Sequence, residues 1–160
     1  MSQLYSHKGN YSAAEPLLYR SLEIRETTLG ESHPSVATSL NNLALLYRNQ
    51  GNYSAAEPLL KRSLEIFETT FGEFHPHVAQ ILNNLSQIYS DQGNHSAAEP
   101  LLYRSLEIRE TTLGESHPDV AQSLNNLALL YSNQGNYDAA EPLFLRSLEI
   151  RETALKPGKL

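Results

Sequence analysis

The sequence predicts an all-α protein, a right-handed α-solenoid built from antiparallel helix pairs. Two observations carry this. His-Pro recurs at His33-Pro34, His75-Pro76 and His117-Pro118, a spacing of 42 residues, and Gly9, Gly51, Gly93 and Gly135 keep the same period, as do Pro16, Pro58, Pro100 and Pro142. Within each period lie two stretches of helical apolar periodicity separated by turn residues. A helix pair striped on more than one side cannot cover its own apolar surface, so neighbours must stack on it. The copies are close to identical: Gly9–Ser32 differs from Gly93–Ser116 only at Tyr11, which is His95 in the later copy. The expected organisation is a single array over 1–160. A partial repeat at 1–32 (half of a first helix, then a second helix) is followed by full repeats at 33–74, 75–116 and 117–155 and a tail at 156–160.

In the first helix, Val36, Leu40, Leu43, Ala44 and Tyr47 fall on one stripe. Pro34 suits its first position, where a missing N–H costs nothing. Asn49-Gln50-Gly51-Asn52 stops the helix, with Gly51 free to adopt positive φ. The second helix is expected to open on Ser54-Ala55-Ala56-Glu57, which has the form of a capping box, repeated at Ser12/Glu15, Ser96/Glu99 and Asp138/Glu141. That start puts Pro58 within the first turn. Ala56, Leu60, Ser63, Leu64 and Phe67 continue an apolar stripe that contains one small residue, and Gly72 ends the helix, as do Gly30 and Gly114.

Composition narrows the function classes. At 40% hydrophobic and 19% charged, the chain can bury a core and does not read as disordered. A net charge of −6 argues against nucleic acid or an anionic membrane surface as partner, because phosphates are held by clustered Lys and Arg. With no cysteine, neither disulfides nor thiolate chemistry are available. No apolar run approaches the ~18 residues of a membrane span. The opening MSQLYSHKGN has no apolar segment of the signal-peptide kind. A soluble, cytoplasmic protein is expected.

Leu40, Leu43, Ala44, Tyr47, Gly51, Tyr53, Ala56 and Leu64 stand at the spacings of the tetratricopeptide repeat, whose common unit is 34 residues. The 42-residue variant, LNNLALLYxxQGNYxxAEPLLxRSLEI followed by LGExHP, resembles the repeat of the kinesin light chains and of related bacterial proteins. The resemblance implies an adaptor that holds extended peptides or helices on the concave side, lined by first helices. It does not name a ligand.

On that inner wall the sequence places Thr38, Asn41, Leu45 and Arg48, a stripe one residue off the core stripe and so rotated by about 100°. Later copies supply Gln80, Asn83, Gln87 and Ser90, then Gln122, Asn125, Leu129 and Ser132, and the opening half helix supplies Gln3 and Ser6. Amides offer a donor and an acceptor, which suits a peptide backbone. With first helices ~10 Å apart, one Asn per repeat addresses about every third residue of an extended chain. Asn41, Asn83 and Asn125 are therefore the expected backbone clamp, an expectation strengthened because the similar kinesin light chain repeats use asparagines this way. Arg48 would pair an acidic ligand side chain. The alternative for each Asn is a solvated side chain or a bond across to the next helix. Asn42, Asn84 and Asn126, nearer the helix seam, are the weaker candidates.

Catalysis and cofactors are not expected. His33, His75 and His117 are a repeat apart, about 10 Å, too far to share a metal; a cap on the following helix is their expected role. The Glu and Arg of RSLEIRET (Glu23, Arg25, Glu26 and copies) recur on the second helix and read as a solvated ion-pair face. Tyr5, Tyr47, Tyr89 and Tyr131 read as core. The last helix has no polar cap after it, so Leu143, Phe144 and Leu148 leave an apolar face open. The chain therefore reads as a piece of a longer array, with end-to-end self-association through that face. The expected function is a protein- or peptide-binding adaptor; the rival is a structural spacer with an empty groove.

Overall fold

A computed structural model describes residues 11–155, and Gln3, Ser6 and Tyr5 lie outside the described residues. Among these residues there are seven helices: α1 (Tyr11–Leu29), α2 (Pro34–Asn49), α3 (Tyr53–Phe71), α4 (Pro76–Asp91), α5 (His95–Leu113), α6 (Pro118–Asn133) and α7 (Tyr137–Leu155). Each 16-residue first helix (α2, α4, α6) precedes a 19-residue second helix. The chain divides into two compact units, Met1–Glu73 and Phe74–Leu160.

In unit 1, α2 packs against α3 and α1; in unit 2, α4 packs against α5, and α6 against α5 and α7. The stripe Val36, Leu40, Leu43, Ala44 and Tyr47 is buried as expected. The second-helix stripe shifts slightly: Ile66 is buried and Leu64 only half-buried. In unit 2, Val120, Ala121 and Leu124 meet Leu106 and Ile150, while Leu127 and Leu130 meet Ala98 and Leu102. The small residue of the second-helix stripe has a definite task. Ser63, Ser105 and Ser147 are buried where each pair crosses, and each hydroxyl donates to a first-helix carbonyl, of Ala37 (2.9 Å), Ala79 (3.0 Å) and Ala121 (2.8 Å) respectively. A hydroxymethyl against an alanine lets the backbones approach closely enough for that bond.

The caps explain the repeated punctuation. Pro34, Pro76 and Pro118 are first helical residues, and the preceding histidines cap: Nδ1 of His33, His75 and His117 accepts the N–H of Ser35, His77 and Asp119, each at 3.0 Å. The turn between pair members is a Schellman motif. In α4 the Asn94 N–H donates to the Tyr89 carbonyl (2.8 Å) and the Gly93 N–H, at φ 78°, to that of Ser90 (2.9 Å). Asn94 then caps α5, its Oδ1 accepting the Ala97 N–H at 3.3 Å; Asn52 and Asn136 do the same for Ala55 and Ala139. This corrects the capping-box expectation. Asn52, not Ser54, is the N-cap of α3, and the Ser54 hydroxyl donates to the Asn52 side chain instead. The helix starts two residues after Gly51, so Pro58 sits in its second turn and not its first, at the loss of one backbone bond.

One cap carries a pH dependence. Burial, followed by the charge of neighbouring His77, whose ring centroid is 4.7 Å away, holds the His75 imidazole below its ordinary value. Capping needs a neutral Nδ1, since an imidazolium has no acceptor. With the folded value below the unfolded one, this cap contributes fully above the ordinary imidazole range, and its contribution is lost as the pH falls through that range. Asparagine caps without titrating there. Urea melts at about pH 7 and about pH 5 are therefore expected to show a smaller acid loss for His75→Asn than for the unsubstituted chain; equal losses would assign the acid sensitivity elsewhere.

Candidate functional site

In unit 1, Thr38 is exposed and Asn41, Leu45 and Arg48 are half-buried. The Thr38 hydroxyl donates to the Pro34 carbonyl (3.3 Å), so part of its polar capacity is spent within α2. In unit 2, Gln80, Gln122 and Leu129 are exposed, and Gln87, Ser90, Asn125 and Ser132 are half-buried. Leu129 is 45% exposed, an apolar side chain open beside amides.

The asparagines divide into different roles. Asn125 has no hydrogen-bond partner among the described residues and is only half-buried. Asn83 departs from its expected place. It is 1% exposed, and its Oδ1 accepts from Nδ2 of Asn126 at 2.6 Å, a bond that ties α4 to α6. Asn84 is buried and accepts from Gln80 Nε2 at 3.1 Å. Asn126 thus lies at a helix seam as expected, whereas Asn42 is exposed.

The largest difference concerns the arginines of RSLEIRET. Arg109 is not on a solvated face: it is 2% exposed, and its guanidinium passes between α4 and α6. Nη1 donates to the Asp119 carbonyl (3.2 Å), Gln122 Oε1 (3.0 Å) and Ser123 Oγ (2.9 Å), and Nη2 donates to Gln80 Oε1 (3.0 Å). Burial lowers its pKa from the ordinary value, opposed by the Asp119 charge. In unit 1, Arg25 makes the smaller version of this clasp, to the Ser35 carbonyl (3.1 Å) and Ser39 Oγ (2.9 Å). The neighbouring glutamates do form ion pairs, Arg62–Glu26 (2.8 Å) between α1 and α3 and Arg146–Glu110 (2.7 Å) between α5 and α7. These are partly exposed and contribute roughly 0–1 kcal/mol each.

Tyr47 is buried as expected, and its hydroxyl donates to Glu15 Oε1 (3.0 Å) and shares a hydrogen bond with the Tyr19 hydroxyl (2.8 Å); Tyr131 pairs with Tyr103 at 2.8 Å. Burial first, then the bonds to these tyrosines, pushes both hydroxyls well above the ordinary phenol value. They are structural donors and not nucleophiles. A recess of about 620 Å³ is lined by Glu15, Pro16, Tyr19, Arg20 and Glu23, and one of about 270 Å³ by Glu31, Ser32, Arg62, Glu65, Ile66 and Thr69. No wall residue lines either. Among the described residues no three His, Asp or Glu side chains converge as metal ligands, and no helix is long and apolar enough to cross a membrane.

Helix pairs repeated every 42 residues, each joined by the same Gly-Asn turn and crossing at the same serine, define a helical-repeat protein. The chain belongs to the tetratricopeptide repeat family, whose pattern matches residues 1–69, 40–111 and 77–153. Within it the chain is a kinesin-light-chain-like array. It is similar to BtubC (BKLC) from P. vanneervenii, at 28% identity and a TM-score of 0.86 over 99% of this chain, and it spans 64% of that chain. It is also similar to a putative kinesin light chain of P. anserina with nearly identical TPR-like repeats. A glutamine-to-methionine variant of that protein gives 28% identity and a TM-score of 0.82, covering 97% of this chain and 73% of that one. A second structure of it gives 27% and 0.78, covering 97% and 74%. No curated protein matches the sequence. Tetratricopeptide repeats are in general protein–protein interaction modules and non-catalytic scaffolds.

Proposed function

We propose that this chain is a cytoplasmic adaptor that holds an extended peptide or partner segment along the first-helix wall, the concave side of repeats of this type. One observation carries the reading: on α6, Asn125 offers a half-buried amide without a partner, flanked by the exposed Leu129 and Gln122. An open amide beside an open apolar side chain matches the two components of a peptide, backbone and side chain. Asn41, Leu45 and Thr38 stand at the same repeat positions in unit 1. The net charge of −6 supports a protein partner over nucleic acid.

The test is selection from a random library of N-acetylated, C-amidated decapeptides, followed by Asn125→Ala and Leu129→Ala. Each change is expected to weaken the selected peptides about tenfold, the loss of about 1.4 kcal/mol, with the melting temperature unchanged. Binding indifferent to both, or no peptide selected, would favour the spacer.

A second role rests on α7. Of the three residues expected to be open, Leu143 and Phe144 are half-buried, Leu143 against the unit 2 core, and only Leu148 (53%) is exposed; Leu145 (57%), Leu155 (82%) and Arg151, the counterpart of buried Arg109, are exposed too. Among the described residues, Leu148 and Arg151 are exposed whereas their counterparts on α5, Leu106 and Arg109, are buried against α6, and a second copy of the chain is the occupant we propose. Sedimentation equilibrium is expected to show concentration-dependent dimers that Leu148→Glu abolishes; a monomer at all concentrations would contradict this.

A further inference from the structure

We infer that Arg109 sets the hydrogen-bond polarity of the unit 2 wall, so that Gln122, with help from Gln80, meets a ligand as a donor and selects carbonyl or carboxylate oxygens. The inference rests on the proposed use of this wall. Its physical basis is the donor-only character of a guanidinium, which has five N–H groups and no acceptor. An amide beside it must therefore turn its oxygen inward. Both Gln80 and Gln122 do so, each at 3.0 Å from Arg109. With the oxygens committed, the two NH2 groups point away from the guanidinium. Gln80 Nε2 gives a bond to Asn84 Oδ1, whereas Gln122 Nε2 has no partner among the described residues although the residue is exposed.

The charge adds to the geometry. Among the described residues no carboxylate oxygen bonds the guanidinium; its four acceptors are two amides, a hydroxyl and a backbone carbonyl. A buried cation polarises the amides that accept from it, which strengthens their outward N–H groups as donors. Arg109 itself is too deep to touch a ligand and is a positioning residue. Unit 1 supplies the contrast within one chain. Among the described residues Arg25 holds no amide, and the counterpart of Gln122 is Thr38, whose hydroxyl is bonded within its own helix.

Acceptor oxygens come from side-chain carboxylates or from the peptide main chain, and two small probes separate them. In the full 15N-labelled chain, sodium acetate and N-methylacetamide are titrated separately while the side-chain NH2 signals are followed by NMR. A saturable shift of the Gln122 signal, exceeding that of the exposed turn amide Gln134, is expected. Saturation by acetate alone assigns a carboxylate, and by both probes a carbonyl in general. Shifts of Gln122 and Gln134 that are equal would overturn the inference, whether or not any peptide binds. The second measurement uses Gln122→Glu, which keeps an oxygen on Arg109 and so keeps the fold, but now turns an acceptor outward. The decapeptide library is expected to switch from Asp, Glu or Asn to Lys, Arg or Ser at one position, with at least tenfold weaker binding of the original peptides. An unchanged preference in a well-folded variant would overturn the inference while leaving peptide binding itself intact.

Discussion

Arg109→Ala is expected to lower the stability of the chain by about 3 kcal/mol or more, because it removes hydrogen bonds from a charged donor and leaves a cavity between α4 and α6. Arg25→Ala, at the same position of the repeat, is expected to cost about 1 kcal/mol, since it loses two acceptors at a half-buried site. Urea melts of the two variants make the comparison, and a difference below about 1 kcal/mol would mean that the clasp is not a stabilising element. Earlier in the sequence Phe67 stands at the repeat position of Arg109 and Ile81 at that of Ser123, an apolar residue for a polar one at both positions. Arg109→Phe combined with Ser123→Ile is therefore expected to be more stable than Arg109→Phe alone, a coupling that a double-mutant cycle measures.

Ser105→Leu is the second large effect. Ser105 is fully buried against Ala79, itself fully buried, and its hydroxyl reaches the Ala79 carbonyl. The larger leucine side chain has no space at this crossing, so α4 and α5 must separate. Overpacking together with the lost buried bond amounts to about 3 kcal/mol. Ser105→Ala removes only the bond and is expected to cost about 1 kcal/mol. The ratio between the two separates steric closeness from hydrogen bonding. If leucine were no worse than alanine, the close crossing would not be a requirement of the pair.

Much of this fold is legible in the chain because the repeat states each local rule several times. His-Pro, Gly-Asn and the five-residue core stripe are local signals, and each leads to the structure found. The misreadings share a cause. Ser54 and Asn52 are both competent caps, and the S-x-x-E pattern favoured the serine. The choice falls to Asn52 because the Schellman turn already holds its N–H on Tyr47. Arg25, Arg109 and Arg151 sit in identical local sequence yet are half-buried, buried and exposed, since their surroundings depend on which helix lies next to them. No local pattern distinguishes them. Asn83 belongs to the same class: a stripe rotated by about 100° from the core is open on a lone helix, and here Asn83 is buried and bonded to Asn126. The exposed positions Gln80, Gln122 and Leu129, by contrast, are where the helical period puts them.

Mapping a bound peptide shows whether partners lie on the first-helix wall. With the tightest decapeptide from the library added to the 15N-labelled chain, amide and side-chain shifts are expected to concentrate on α4 and α6 around Gln122, Asn125 and Leu129. Little change is predicted at Tyr19, Tyr103 or the Arg62–Glu26 pair on the second helices. Shifts confined to the second helices, or to the exposed leucines of α7, would contradict that placement.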